Sequence, residues 1–256
     1  MEPTDSYIRV TRRDGIARIE FFHPQSNSMP AALLAQLAEA LRQEGTHADS
    51  RVIVLQSAGD RAFCAGASFD ELSSIRTEEQ GRTFFNGFAQ VINACRTNPK
   101  IIIGRVQGKA VGGGVGLAAA TDYCFASGNA SVKLSELAVG IGPFVVGPAV
   151  ERKIGLAAFS QLTLDATVFY PALWAHNRGL FADVFETTAM LDVAVDAFAT
   201  QLAASNPEAL RELKAVFWQG TDHWETLLSE RAAISGRLVL SDFTQKAIAA
   251  FKNKAK

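Results

Sequence analysis

The sequence predicts an α/β fold: a largely parallel sheet followed by a helix-rich C-terminal part. Three observations carry this. Apolar runs of strand length alternate with runs of helical spacing through the first half, an order that favours parallel strands joined by right-handed crossovers. A glycine knot, Gly112-Gly113-Gly114, follows one of those strands and opens a run of small residues from Val115 to Ala120. Beyond Pro148 strand signals become sparse and helical segments dominate.

In order, residues 7–11 and 16–22 alternate apolar and polar side chains around Asp14-Gly15, which reads as a β-hairpin. A turn through His23-Pro24 leads to a helix with Ser28 as its expected cap and Pro30 early in it. Leu33, Leu34, Leu37 and Leu41 form its apolar stripe, and Gly45 ends it. The short apolar run 52–55 reads as a buried strand. The stretch 57–72 favours neither helix nor strand around Gly66; it reads as a packed loop, or as a backbone donor site at the Ala67 N–H. Helical spacing through Phe84, Phe88, Val91, Ile92 and Cys95 gives a helix over 77–97, its aromatics read as core, and Pro99 stops it. Residues 101–106 form the strand that feeds the glycine knot, and 123–126 and 130–133 read as short strands around Ser127-Gly128-Asn129. Helices are expected over 157–164, 172–178, 192–205, 207–218, 221–235 and 242–254, with Asn206-Pro207 as a break and restart.

Composition narrows the function classes. With 256 residues, 48% hydrophobic and 20% charged, the chain has the make-up of an ordinary folded enzyme rather than a disordered segment. A net charge of −1 gives no basic surplus for nucleic acid. No apolar run is long enough for a membrane span, and Met1-Glu2-Pro3-Thr4-Asp5 has neither the basic start nor the apolar core of a secretory signal, so the expected compartment is the cytoplasm. Cys64, Cys95 and Cys124 are scattered without a C-x-x-C pair, and His23, His47, His176 and His223 are far apart. Neither a disulfide framework nor a metal site is expected.

The chemistry concentrates between Gly108 and Gly147. Glycines ahead of a helix let backbone N–H groups approach a ligand and aim the positive helix end at negative charge. Glu136 stands in an otherwise apolar segment, 134–141, which marks it for a raised pKa and for proton transfer. Bare N–H donors and one tuned carboxylate are the parts that polarise a carbonyl and move a proton beside it. Gly114-Val115-Gly116-Leu117-Ala118-Ala119 also fits G-x-G-x-x-A, with Glu136 about twenty residues on, as in a dinucleotide fingerprint. The context is wrong for it: Glu136 is not at the end of a second strand, and the motif does not open the first βαβ unit. No serine nucleophile is indicated either, because no histidine is placed beside Ser135.

Three motifs taken together, F-C-A-G-A (63–67), G-K-A-V-G-G-G (108–114) and S-E-L-A-V-G-I-G-P (135–143), resemble the crotonase superfamily of enoyl-CoA hydratases and isomerases. The resemblance runs from the His23-Pro24 turn to the helix around Phe251 and is most like methylglutaconyl-CoA hydratase-like members. It implies a crotonase-like spiral of repeated ββα units over 1–195 and a C-terminal helical oligomerisation region over 196–256 that builds homotrimers, often stacked as hexamers. It also implies an acyl-CoA thioester substrate, with coenzyme A entering as part of that substrate and no separate cofactor. Catalysis would rest on Glu136 as acid and base and on the backbone N–H groups of Ala67 and Gly113 as an oxyanion hole. Losing one such donor costs roughly 3 kcal/mol of barrier in comparable sites. Substrate and CoA contacts would come from Ser26, Ala65, Gly66, Ser68, Gly112, Phe144 and Lys254, with Lys252 and Lys254 facing CoA phosphates.

One departure from the family is informative. Hydratases of this type usually carry a first glutamate shortly after the glycine knot, and here that position is Gly116. A single carboxylate suffices to move a double bond, whereas hydration also needs a held water. The expected function is hydration of a 2-enoyl-CoA by one glutamate, with double-bond isomerisation by the same residues as the alternative. A non-catalytic acyl-CoA-binding protein is the reading from another class. Phe144, where many hydratases have glycine, either narrows the acyl pocket or packs behind it. Ser68 replaces a common aspartate and could simply cap the helix from Phe69. Asp70 and Glu71 read as helix-start charges or pocket lining.

Overall fold

A computed structural model describes residues 5–254 of the chain, with side chains described to residue 250. Strands β1 (Tyr7–Arg13) and β2 (Ile16–Phe22) form the expected antiparallel hairpin. Its two-residue turn needs left-handed backbone at both positions, and Asp14 (φ 52°) and Gly15 (φ 78°) supply it. Alternation then sets the burial: Ala17, Ile19 and Phe21 of β2 are fully enclosed.

From there the chain repeats one unit. A long strand is followed by a short strand and then by helix. The first unit is β3 (Val52–Ser57), β4 (Ala62–Cys64), α2 (Phe69–Leu72) and α3 (Glu78–Arg96), after α1 (Ala31–Thr46). The second is β5 (Ile101–Val106), β6 (Lys109–Val111) and α4 (Gly113–Ala120). The third is β7 (Tyr123–Ser127), β8 (Ser131–Lys133), a 3-10 turn at Leu137–Val139 and α5 (Gly147–Leu164). Long strands collect in one sheet and short strands in another. The first sheet runs β1-β2-β3-β5-β7-β10, parallel beyond the hairpin, with β10 at Asp183–Phe185. The second runs β4-β6-β8-β9, with β9 at Tyr170–Pro171. This is the spiral of ββα turns that the family resemblance implied.

Strands β3 and β5 read as continuous apolar runs because both of their faces are covered. Ile53 and Leu55 belong to the main core with α1 and α3, while Val52 and Val54 face a second core. That second core is closed by α7 (Thr188–Ala203), whose Leu191, Val195, Ala199 and Ala203 recur at helical spacing on one buried stripe. The remaining helices are α6 (Ala172–Asn177), α8 (Pro207–Phe217), α9 (Trp224–Leu238) and α10 (Asp242–Lys254). Helix α8 is tied to the core through a buried charge cluster. The Asp122 carboxylate accepts from Lys214 Nζ at 2.6 Å, from Trp218 Nε1 at 2.7 Å and from the Ile102 N–H at 2.7 Å.

Several expectations are corrected. Residues 57–72 are not a plain loop; β4 and α2 lie within them, and β6, β9 and β10 are further strands of two or three residues. Elements that short show no alternation to read. The strands expected on either side of Ser127-Gly128-Asn129 do not pair with each other; they enter different sheets. Helix α5 begins at Gly147 rather than 157, because the Gly147-Pro148 start and the break at Gly155 (φ 74°) obscure its spacing. Ser28 does not cap α1. Its hydroxyl meets His23 Nδ1 at 3.0 Å, and the α1 cap is supplied from elsewhere, by Glu71 Oε2 accepting the Ala31 N–H at 2.8 Å. Thr77, by contrast, makes a full capping box with Gln80 at the start of α3. Among the described residues no helix is long and apolar enough to cross a membrane, and no group of acidic, histidine and cysteine side chains is placed to hold a metal. Cys64, Cys95 and Cys124 are free and buried, and burial pushes each thiol up to about 12.

Candidate active site

The end of β4 and the start of α4 are brought together by glycine. Met29 forms an isolated parallel bridge with Ala67: its N–H donates to the Gly66 carbonyl at 2.8 Å, and its carbonyl accepts the Ser68 N–H at 3.3 Å. In a parallel bridge the central residue's own N–H points the other way. The Ala67 N–H therefore faces away from Met29 and finds no hydrogen-bond partner among the described residues. Gly66 holds φ 88°, and a β-carbon there would lie 2.8 Å from the Val111 carbonyl oxygen and 3.5 Å from the Gly113 nitrogen. Only glycine lets the two segments approach so closely.

Gly112 turns the chain from β6 into α4 at φ 51°, ψ −117°, its N–H donating to the Lys133 carbonyl at 2.8 Å. Gly113 is the first helical residue, and its N–H likewise has no partner among the described residues. Helix α4 is buried along its whole length. It approaches its neighbours so closely that a β-carbon on Gly113 would meet Phe88 Cε1 at 2.2 Å, and one on Gly114 the Cys64 carbonyl oxygen at 2.5 Å. Two free N–H groups, one at a helix N-terminus, thus face a common space.

Glu136 enters that space from the third turn, leading the 3-10 turn that follows β8. A β-carbon on Gly112 would stand 2.9 Å from Glu136 Oε1, so Gly112 provides the room for the carboxylate. The residue as a whole is half-buried, but Oε2 is enclosed and has no hydrogen-bond partner among the described residues. Burial pushes the carboxyl up to about 7, against the opposing pull of its own backbone N–H. Its carbonyl is fixed by the Ile141 N–H at 2.9 Å, and Gly140 (φ 83°) closes the turn.

Ala65, Gly66, Ala67, Gly112, Gly113, Glu136 and Phe144 all line one cavity that opens to solvent. Among the described residues Glu136 is the one ionisable side chain on its wall. Gly116 lies just behind: a β-carbon there would be 2.4 Å from Val146 Cγ1, and Val146 itself lines the cavity. Other residues of the sequence reading lie elsewhere. Ser68 is buried and caps α2 by accepting the Glu71 N–H at 3.4 Å. Glu71 caps α1 and Asp70 accepts from Gln25 Nε2 at 2.9 Å. Ser26 (φ 54°) lines a neighbouring depression with His23 and Arg61, joined to the site through its carbonyl, which accepts the Ala65 N–H at 3.1 Å. The side chains of Lys252 and Lys254 lie outside the described residues.

The rest of the wall was missed in the sequence. Phe85 and Phe88 come from α3, Phe69 and Leu72 from α2, and Ser235 from α9. The last arrives because α3 and α9 cross at paired glycines: a β-carbon on Gly81 would lie 2.6 Å from the Gly236 Cα. Two glycines so far apart in sequence give no sign that they meet. Phe88 was readable as buried, but not as buried against a cavity, and Phe85 fell outside the apolar spacing read for that helix.

Residues 11–256 match the family model described as enoyl-CoA hydratase/isomerase. The chain is 30% identical to the mitochondrial methylglutaconyl-CoA hydratase of Rattus norvegicus over 77% of its length and 63% of the relative's. It is 28% identical to the peroxisomal Delta(3,5)-Delta(2,4)-dienoyl-CoA isomerase of Arabidopsis thaliana, over 90% of this chain and 87% of that one. The structure of an enoyl-CoA hydratase from Bacillus halodurans superposes with a TM-score of 0.88 over 96% of this chain and all of that one, at 21% identity, which speaks for the fold. With the spiral, the facing glycine segments and a match that spans nearly the whole chain, this protein belongs to the enoyl-CoA hydratase/isomerase family.

Proposed function

We propose that the protein moves a proton on an enoyl-CoA thioester, and that double-bond isomerisation is the reaction its site supports best. The observation that carries this is Glu136 as the cavity's single ionisable group among the described residues, with the side of Gly116 filled by Val146. Glu136 as carboxylate takes the proton from C2 of a 3-enoyl thioester. The electron pair moves onto the thioester oxygen, and the Ala67 and Gly113 N–H groups stabilise that enolate. The pair then returns through C2=C3 as Glu136 gives the proton back at C4. The product is the conjugated 2-enoyl thioester, and Glu136 is again a carboxylate. A carboxyl whose pKa is near 7 gives and takes that proton with little bias at neutral pH. No cofactor is consumed; coenzyme A enters with the substrate.

Hydration of a 2-enoyl-CoA is the second reading. Ser135 lines the cavity next to Glu136 and is a hydroxyl able to share in holding a water, and the rat relative is named as a hydratase. A purely binding role is disfavoured by the cost of keeping a carboxyl enclosed with Oε2 unpartnered among the described residues. Residues 196–256 are the part we assign to self-association, supported by Leu213, Val216 and Phe217 exposed on α8. The test incubates the purified protein with crotonyl-CoA, 3-methylglutaconyl-CoA and a 3-enoyl-CoA and resolves products by mass. Conversion of the 3-enoyl substrate at constant mass supports isomerisation. Gain of a water on a 2-enoyl substrate supports hydration. Turnover unchanged in Glu136→Gln overturns both.

A further inference from the structure

The acyl end of the cavity is built from aromatic and aliphatic side chains. Phe69, Phe85, Phe88 and Phe144 face it with Val145 and Val146, and among the described residues no lysine, arginine or histidine is on its wall. The nearby cations are engaged elsewhere. Arg231, one helical turn before Ser235 on α9, donates from Nη1 to the Phe144 carbonyl at 3.4 Å and is not on the cavity wall. Lys133, three residues before Glu136, stacks over the Phe169 ring with its ammonium 4.2 Å from the centroid, and Lys109 lies over the same ring at 5.1 Å. A carboxylate on the far end of an acyl group would therefore enter an apolar chamber whose one ionisable group among the described residues is itself acidic. Burying a charge without a partner is heavily disfavoured.

Phe144 has a specific seat. Its ring lies against Gly142, where a β-carbon would be 2.6 Å from Cε2 and 2.7 Å from Cζ. The Phe144 N–H donates to the Gly142 carbonyl at 2.8 Å, which fixes the backbone turn that carries the ring. The ring forms part of the chamber wall, in space that the missing side chain of Gly142 leaves open.

We infer that the acyl subsite selects an uncharged, apolar acyl group against one bearing a second carboxylate, and that Phe144, seated on Gly142, sets how long that group can be. The inference rests on the enoyl-CoA reading above. A matched pair tests the first half: 3-hexenoyl-CoA and its terminal carboxylate counterpart, 3-hexenedioyl-CoA mono-thioester. Affinity is read with the Glu136→Gln protein and turnover with the native one. The expected result is at least about a hundredfold weaker affinity of Glu136→Gln for the diacid, because with the acidic group gone the apolar walls alone still disfavour the charge. Affinities within about threefold of each other overturn the selectivity. Failure of the enoyl-CoA reading would look different: neither compound is turned over by the native protein, while the affinity gap stands. For the second half, kcat/KM is compared for 3-hexenoyl-CoA and 3-dodecenoyl-CoA in Phe144→Ala and, with less lost volume, in Phe144→Leu. A rise of about tenfold or more in the ratio of long to short chain supports the assignment. An unchanged ratio in both variants overturns it.

Discussion

Val146 Cγ1 stands 2.4 Å from the point where a β-carbon on Gly116 would be. The position that carries a first glutamate in two-glutamate hydratases is thus not just without a side chain; its space belongs to a valine of the neighbouring segment. Gly116→Ala is expected to overpack this contact and cost about 1–3 kcal/mol of stability. Val146→Ala in the same chain should recover most of that loss. Urea denaturation of the two single variants and the double variant measures the coupling directly, and additive losses would mean that the two positions do not compete for space.

Glu136 should set the pH response. Its carboxyl is raised to about 7, so the base form fills as pH rises through that value, and kcat/KM should climb with it to a plateau. Glu136→Gln should lower kcat by about a hundredfold or more while thioester affinity is kept. A pH–rate profile of the native protein that is flat from pH 5.5 to 8.5 would remove Glu136 from the acid–base role.

The same residue makes a stability prediction of opposite sense. A carboxyl raised from its ordinary value of 4.5 to about 7 favours the fold in its protonated form. Its contribution is full below the ordinary value and is lost as pH rises to about 7, a difference of about 3 kcal/mol. Glu136→Gln should therefore be as stable as the native protein near pH 4 and more stable at pH 8. Thermal melts at the two pH values decide it: a variant less stable at pH 8 contradicts the burial argument.

The crossing of α3 and α9 tolerates no side chain. A β-carbon on Gly236 would lie 2.5 Å from the Arg82 backbone nitrogen, and backbone cannot swing away. Gly236→Ala should cost at least about 2 kcal/mol and, by forcing the helices apart, withdraw Ser235 from the cavity. Denaturation midpoint and substrate KM should worsen together. A stable variant with native KM would mean that the crossing is looser than the distances indicate.

Lys214→Met leaves the Asp122 carboxylate buried with its main charge partner gone. Side-chain exposures of 3% and 2% place the pair beyond solvent screening, so about 3–5 kcal/mol of destabilisation is expected. Urea unfolding checks this, and a loss under about 1 kcal/mol would mean that water reaches the pair.

The sequence made some of this legible and hid the rest for identifiable reasons. The hairpin could be read because Asp14-Gly15 carries turn chemistry between alternating strands, and β3 and β5 because burial on both faces leaves an unbroken apolar run. Strands β4 and β6 span three residues each, below the length at which alternation can be seen, although they lead into the segments of the site. Glu136 and the two glycine segments were readable because an acid among apolar residues, and glycines before a helix, each carry local chemistry. Ser235 and the Val146 contact depend on chain segments that meet only in three dimensions. Ser26 and Ser68 were chosen by motif position, and their side chains do not line the cavity.

The sorting of long and short strands into two sheets has a consequence for how such a site can change. Ala67 lies in the first turn of the spiral, Gly113 in the second and Glu136 in the third. Each component is delivered by its own stretch of chain, joined to the next through helix. In the proposed reaction the pair that holds the anion and the group that moves the proton are therefore separable units of inheritance. Under that proposal a lineage rewrites the third turn, exchanging one reaction for another, while the first two keep the same grip on a thioester.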